Sequence, residues 1–244
     1  MTDTPDSAPL FRLFWDNSSL TPSRALVLRE RIAIDAAQAY RPYRPIHVQG
    51  SLLLPKAASR LESVWSRRRS QRHFKDKPLS AQQLSSLLRP FRVGPDGRHA
   101  LPSGGGKYPL QLYVALLNVT LAASHTGQLA WYDPEQHGLV PLGAAPDWAQ
   151  LACIIGVDWA QPPAVMFFLI ARSDSLTAKY GERGGRFMLL EAGAHMLALD
   201  MEAASQKLGG VPIGAFMDDS VLQLLNLSAR QHQAVLCYAC GHPL

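Results

Sequence analysis

Lys179 and Tyr180 open the stretch KYGERGGR, where Glu182, Arg183 and Arg186 crowd around glycines just ahead of a long apolar segment. A lysine near a positive neighbour or in a dry pocket loses part of its pKa, and a tyrosine can relay a proton. The pair therefore suits acid–base work; the plain alternative is a solvated loop leading into a helix. RRRSQRHF, residues 67–74, concentrates Arg67, Arg68, Arg69 and Arg72. Guanidinium forks match phosphate oxygens two at a time, and Ser70 adds a hydroxyl donor. The same cluster also reads as a basic helix end favoured by the helix dipole. Nucleic-acid binding is disfavoured, because aromatic platforms and groove-reading motifs are absent nearby.

PSGGGKYP, residues 102–109, raises a backbone question. Consecutive glycines let a chain reach something that a Cβ would block. The stretch is not a triphosphate loop, since Leu101 stands where the first glycine belongs and Tyr108 follows Lys107 in place of Ser or Thr. It is not a dinucleotide fingerprint either, because Pro109 takes the last glycine position. Glu191 lies within the apolar run EAGAHM, where a carboxylate needs a partner, and a loop arginine is the expected one. His195 on the same run reads as a satisfied core histidine. PIGAF, residues 212–216, is a small-residue stretch with little meaning alone.

Cys237 and Cys240 form a lone C-x-x-C in VLCYAC, a strand-like segment where the two side chains point to opposite faces. No second pair and no histidine pattern completes a zinc site, so no metal is expected. Cys153 is expected in the core.

These residues need a scaffold, and 244 residues with 47% hydrophobic content suffice for one large domain or a domain with an appendage. The net charge of +5 and pI of about 9.3 favour anionic partners. The N-terminus lacks a signal-peptide pattern, and the longest apolar run, Pro162 to Ala171, is too short for a membrane helix. A cytoplasmic protein without membrane or nucleic-acid partners is expected.

The preface holds an amphipathic helix over ALVLRERIAIDAAQAY, with Ser23 as cap and Leu26, Ile32 and Ala36 along one stripe, then the extended linker RPYRPIHVQG. A helix over Leu61–Arg69 follows, then one capped by Ser80 with Gln83 at the capping-box position. LQLYVALLNV reads as a strand, GQLAWYDPEQHGLVPLG as two strands around a turn, DWAQLACIIG as a short helix and AVMFFLIAR as a buried strand. A long buried helix begins near Gly184 or Gly185 and is ended by Gly209 and Gly210. PIGAF is strand-like, DDSVLQLLNL a small helix, and AVLCYACG a final strand. The class is α+β.

In order, RRSQRHF with PLS and LSSLL, PSGGGKYPLQLYV, WYDPEQHGLVPL, KYGERGGRFMLLEAG and PIGAF resemble the SagB/ThcOx-type branch of the nitroreductase-like flavoproteins, over about residues 62–241. FWDNSSL is similar to that branch's N-terminal segment. The resemblance implies the α+β nitroreductase fold, a central antiparallel or mixed sheet flanked by helices around a long buried one. It implies an obligate homodimer with FMN at the interface. Residues 1–60 would form a preface and linker, and 61–244 the FMN-binding domain.

By the same resemblance, Arg68, Arg69, Ser70 and Arg72 hold the FMN phosphate and ribityl chain. Ser103, Gly104 and Gly105 approach the flavin from the partner subunit, and Pro212, Ile213 and Gly214 lie near its reactive nitrogen. Lys179 and Tyr180 match the branch's catalytic pair. The implied activity is FMN-dependent oxidation of thiazoline and oxazoline rings in a precursor peptide to thiazoles and oxazoles, with oxygen reoxidising FMN and a cyclodehydratase as a possible complex partner. One of the pair would take the ring proton while a hydride passes to the flavin.

Two other activities of the same fold stay open: an NAD(P)H-dependent nitro- or quinone-reductase, and an FMN oxidase of a carrier-bound substrate. A non-catalytic scaffold subunit is disfavoured by the intact motifs. Three departures from the branch stand out. Gly185 replaces a usual tyrosine, Lys107 a common leucine, and the end CGHPL lacks a basic tail, which leaves the phosphate to the arginine cluster.

Overall fold

The computed structural model describes residues 6–37, 55, 59–121 and 126–244; the expected linker at 41–50 lies outside them. The architecture follows from one strand, β6 (Val165–Ala171), in which every residue is buried. An unbroken apolar run of this kind needs cover on both faces. It lies inside a six-stranded sheet of order β5-β4-β2-β6-β8-β7, with β2 Leu110–Leu116, β4 Gln128–Asp133, β5 Gly138–Ala144, β7 Gly209–Ile213 and β8 Gln233–Gly241. All neighbours in it run antiparallel. A short parallel pair, β1 (Leu79–Ser80) with β3 (Val119–Thr120), stands apart.

Alternate residues of β6 serve opposite faces. Val165, Phe167 and Leu169 share a core with the helices α4 (Ala81–Leu88) and α7 (Glu182–Ser205). Met166, Phe168 and Ile170 share one with α5 (Trp148–Ile155) and α8 (Asp218–Leu224). The C-x-x-C divides as its spacing requires, Cys240 going to the first core and Cys237 to the second. Cys153 departs from expectation: it is exposed, on the outer side of α5, whose inner side buries Leu151, Ala152 and Ile155. The result is a helix–sheet–helix sandwich.

The caps explain the helix limits. Ser80 and Gln83 form the reciprocal capping box that starts α4. In the preface, α1 (Pro9–Ser18) is followed by α2 (Pro22–Ala36). Thr21, not Ser23, caps α2, because Pro22 already takes the first helical position, which suits its fixed φ. Leu26 and Ile32 are exposed, and Ala25 is the buried residue of that helix. The helix expected over Leu61–Arg69 is shorter, α3 at Glu62–Arg67.

KYGERGGR is not a loop. Lys179 and Tyr180 end a short helix, α6 (Asp174–Tyr180), and Gly181 alone separates it from α7, which starts at Glu182. At the far end, α7 stops at Ser205, before Gly209 and Gly210. Those glycines start β7 instead, because Gln71 presses on Gly209 and the Tyr238 ring on Gly210, where side chains would collide.

The contact that joins α6 to α7 is made at Gly184. A Cβ there would stand 2.6 Å from the carbonyl carbon of Leu176 and 2.8 Å from the nitrogen of Thr177. Helix propensity alone would reward Gly184→Ala by about 1 kcal/mol. Backbone cannot yield as a side chain does, so we expect the opposite sign. Gly184→Ala should cost about 1–3 kcal/mol in denaturant unfolding; an unchanged or higher midpoint would contradict the close contact.

Candidate functional site

The α6–α7 corner fixes the Lys179–Tyr180 pair. Gly181 adopts φ 53 and ψ −139, a conformation that side chains disfavour, so the chain reverses within one residue. The Lys179 ammonium lies 5.1 Å from the centroid of the Tyr180 ring, and that ring meets Phe187 edge-on at 5.0 Å. The glycine turn Gly104–Gly106 sits on this corner. A Cβ on Gly105, whose φ is 62, would run into the Tyr180 hydroxyl and stand 2.8 Å from Lys179 Nζ. One on Gly104 would press on Phe187 and Leu176 at 3.1 and 3.3 Å. The close approach that demands these glycines is therefore to the chain's own catalytic candidates and the helices bearing them.

Ser103 links the turn to α7. Its Oγ accepts the Tyr108 N–H at 2.8 Å. Glu191, buried on α7, lies beneath; its oxygens make no hydrogen bond within ordinary limits. Burial raises its pKa, and the Ser103 hydroxyl and Gly104 N–H offset part of that rise. The expected loop-arginine partner is absent, because Arg183 and Arg186 lie on the exposed side of α7 while Glu191 faces inward. Phe91, His99, Tyr108, Trp131, Glu191 and His195 wall a cavity of about 150 Å³. His99 stacks on Tyr108 at 3.5 Å. His195 is the core histidine expected: its Nδ1 lies 2.9 Å from the Glu191 carbonyl, which only accepts, so that nitrogen carries the proton. Burial lowers its pKa to about 4.

The arginine cluster lies at the other end of α7. Ser70 bridges Gly210 in parallel, and the Gln71 N–H donates to the Gly210 carbonyl at 3.0 Å. Residues 68–72 thus run beside β7, which carries Pro212 and Ile213 and leads to Gly214. A Cβ on Gly214 would meet nothing within 4 Å. Arg67 is diverted to structure, donating to the Ala204 carbonyl. The Arg68 guanidinium lies 3.8 Å from Asp200, which also accepts the Tyr238 hydroxyl at 2.7 Å. Among the described residues, no carboxylate stands within ion-pair distance of Arg69 or Arg72, and both are exposed beside Ser70. Unneutralised guanidiniums, a hydroxyl and an open glycine edge are a donor set that fits the phosphate and polar chain of FMN.

The structure thus groups the expected residues into two sets. Lys179, Tyr180, Ser103, Gly104 and Gly105 form one. Arg68, Arg69, Ser70, Arg72, Pro212, Ile213 and Gly214 form the other. From Phe187 to Asp200 is about 20 Å along the helix axis, so one copy of the chain does not close both sets around a single point. Sequence reasoning missed Asp200, although a carboxylate in the apolar run LALDM carried the same signal that singled out Glu191. It also missed Phe11 and the bond between Phe11 and Glu182, because the two lie far apart in sequence.

A family model described as the nitroreductase family matches residues 66–242. A protein of Methanocaldococcus jannaschii that carries a nitroreductase name is 30% identical over 172 residues, 69% of this chain and 85% of its own. Among solved structures, a nitroreductase-named protein of Ralstonia eutropha superposes with TM-score 0.64 at 24% identity, covering 84% of this chain and 99% of its own. A chain of the Escherichia coli microcin synthetase McbBCD complex, solved with truncated pro-MccB17 bound, gives TM-score 0.64 at 19% identity over 92% and 95%. Among the described residues, no helix is long and apolar enough to cross a membrane.

The His195 shift sets a pH dependence. Its folded pKa lies below the unfolded value of about 6.5, so the unfolded chain binds the extra proton first. The stability it confers is complete above pH 6.5 and drains away as pH falls toward 4. The full loss is about 3 kcal/mol, from about 1.4 kcal/mol per pK unit. We expect unfolding free energies from pH 7.5 to 4 to fall less steeply in His195→Gln; parallel profiles would refute a neutral buried imidazole.

Proposed function

The chain belongs to the nitroreductase family of oxidoreductases, whose members bind FMN, and on that premise we propose that it is an FMN-dependent dehydrogenase oxidising thiazoline and oxazoline rings in a precursor peptide. The observation that carries this reading is the Lys179–Tyr180 pair, held against the Gly105 backbone at the α6–α7 corner. A nitroreductase delivers electrons to its acceptor and needs no dedicated base. An azoline becomes aromatic only by losing a ring proton together with a hydride, and a lysine–tyrosine pair can take that proton.

Arg68, Arg69, Ser70 and Arg72 would hold the FMN phosphate and ribityl chain, with Pro212, Ile213 and Gly214 beside the flavin ring. Bound FMN supplies the two-electron acceptor that takes the hydride and is restored by dioxygen. The protein's share is position and proton management. Lys179 Nζ or the Tyr180 oxygen removes the proton from the ring carbon. The T-shaped Phe187 contact and the Gly105 backbone limit how far the phenol can swing.

The separation of the two residue sets along α7 supports a homodimer. Leu190 is 72% exposed on α7, and Leu189 and Leu197 expose about two-fifths of their surface. The same outward side carries Gly193, where a Cβ would meet nothing. A two-fold pairing of α7 helices would cover this apolar stripe and bring the glycine end of one copy to the arginine end of the other. Ser103, Gly104 and Gly105 would then serve the flavin held by the partner's arginines. The fold likeness to a chain of the McbBCD complex is the reason to look for a cyclodehydratase partner.

The nitroreductase name of the archaeal relative favours a second reading, an NAD(P)H-dependent nitro- or quinone-reductase. Purified protein should be yellow and should convert an azoline peptide to the azole in air without NAD(P)H. Reduction of nitro or quinone acceptors by NAD(P)H with no azoline turnover would decide for the second reading. Lys179→Ala should keep bound FMN and lose about 100-fold or more in kcat on the azoline; full activity in that variant would remove Lys179 as the base.

A further inference from the structure

The N-terminal helix α1 lies far in sequence from every residue assigned above, yet three contacts attach it to the α6–α7 corner. The Glu182 carboxylate, in the first turn of α7, accepts the Leu10 and Phe11 N–H groups at 2.9 and 2.7 Å. These are orphan donors at the start of α1, whose own N-cap, Ala8, has no side-chain acceptor. The Phe11 ring fills the position that a Cβ on Gly185 would take. The Ser7 carbonyl lies 3.6 Å from the Cβ position of Gly181, the hinge residue after Tyr180.

The other end of α1 is attached as well. Asp218, at the start of α8, accepts the Leu20 N–H at 2.8 Å. Its carboxyl is raised by burial, and the Leu20 N–H and Ser19 hydroxyl draw it back. Between the two anchors, Phe11 and Trp15 pack with Tyr180 and Phe187 around Ala171, Leu176 and Met188.

We propose that α1 is a buttress of the catalytic corner, with Glu182 and Phe11 as positioning residues for Tyr180. The proposal rests on the reading of Lys179 and Tyr180 as the proton-transfer pair. Glu182 couples α1 to the first turn of α7 through charge-assisted bonds that also complement the α1 dipole. Phe11 takes up the space of a missing side chain at Gly185, so α1 docks in one register. With α1 in place, the Ser7 carbonyl lies against the Gly181 reversal, and Phe11 and Trp15 pack in one cluster with the Tyr180 ring. Without it, the Tyr180 ring keeps the Gly105 contact and the Phe187 edge, and the two helices keep their crossing at Gly184.

The test uses the full chain with FMN bound and three variants: Glu182→Ala, Phe11→Ala and Gly185→Ala, the last adding a Cβ where the Phe11 ring lies. Three readouts separate the possibilities. Amide exchange over residues 8–19 reports docking of α1. Nitration of Tyr180 by tetranitromethane reports its exposure and needs no substrate. kcat and KM on an azoline peptide report the chemistry.

We expect each variant to speed exchange at Leu10 and Phe11 and nitration of Tyr180 by about 10-fold, with FMN retained. We expect kcat to fall about 10-fold while KM changes less than 3-fold. Phe11→Leu should restore most of the loss. Faster exchange at residues 8–19 with unchanged nitration of Tyr180 would overturn the proposal, since α1 would then be released with no effect on the tyrosine. So would wild-type exchange and nitration in all three variants. If wild-type protein does not oxidise azolines, the functional reading fails, and the exchange and nitration data still judge the buttress.

Discussion

The structure depends on one backbone contact, the crossing of α6 over α7 at Gly184. Side chains normally hold helices 8–10 Å apart. Here the carbonyl carbon of Leu176 stands 2.6 Å from the space a Cβ on Gly184 would fill. That approach lets a single residue, Gly181, join the two helices and sets the direction in which Lys179 and Tyr180 leave the end of α6. Everything that touches the pair then follows. The glycine turn must be thin to lie against it, Phe187 must stand beside it, and Gly185 must be bare to admit Phe11. The glycines of GGRF and of PSGGGKYP thus answer close approaches at the same corner.

Much of the scaffold was legible in the sequence. β6 announced itself by an unbroken apolar run, α4 by the Ser80 and Gln83 pair, and the opposite faces of Cys237 and Cys240 by strand periodicity. The errors share a cause. The long helix reads as starting near Gly184 or Gly185 because glycines are local breakers, yet it starts at Glu182 and both glycines lie inside it, where packing outweighs propensity. Gly209 and Gly210 read as a helix stop, yet they are demanded by Gln71 and Tyr238. Cys153 reads as core because its run is apolar, yet its place on α5 faces outward. At Gly209 and Gly210 the deciding neighbours, Gln71 and Tyr238, are distant in the chain, and at Gly184 the neighbour lies in the preceding helix.

The candidate site was legible by residue and not by grouping. Each motif could be named from its letters, but the two sets they form depend on α7 as a spacer. The departure at Gly185 shows the limit. As a letter it is a lost aromatic ring; in the structure the space is filled by Phe11, supplied from the preface. Sequence order hides such a replacement, because the donor and the vacated position belong to segments more than half the chain apart.

The two ends of α7 are organised on the same plan. At each, a carboxylate is buried on the inner side of the helix, Glu191 below the glycine turn and Asp200 below the arginines. A buried carboxylate is costly unless donors face it. Asp200 meets this with the Tyr238 hydroxyl and the Arg68 guanidinium, so it engages one arginine of the cluster, while Arg69 and Arg72 have no carboxylate within ion-pair distance among the described residues. Among the described residues, the Ser103 hydroxyl and the Gly104 N–H bear on Glu191, and its pKa stays raised. The asymmetry suits the two tasks proposed for these residues. An anion site needs positive charge left over, and a cation already matched to Asp200 stays in place to define it. A turn that must lie flat against a lysine and a tyrosine calls for little charge beside it, and burial works in that direction at Glu191 by raising its pKa.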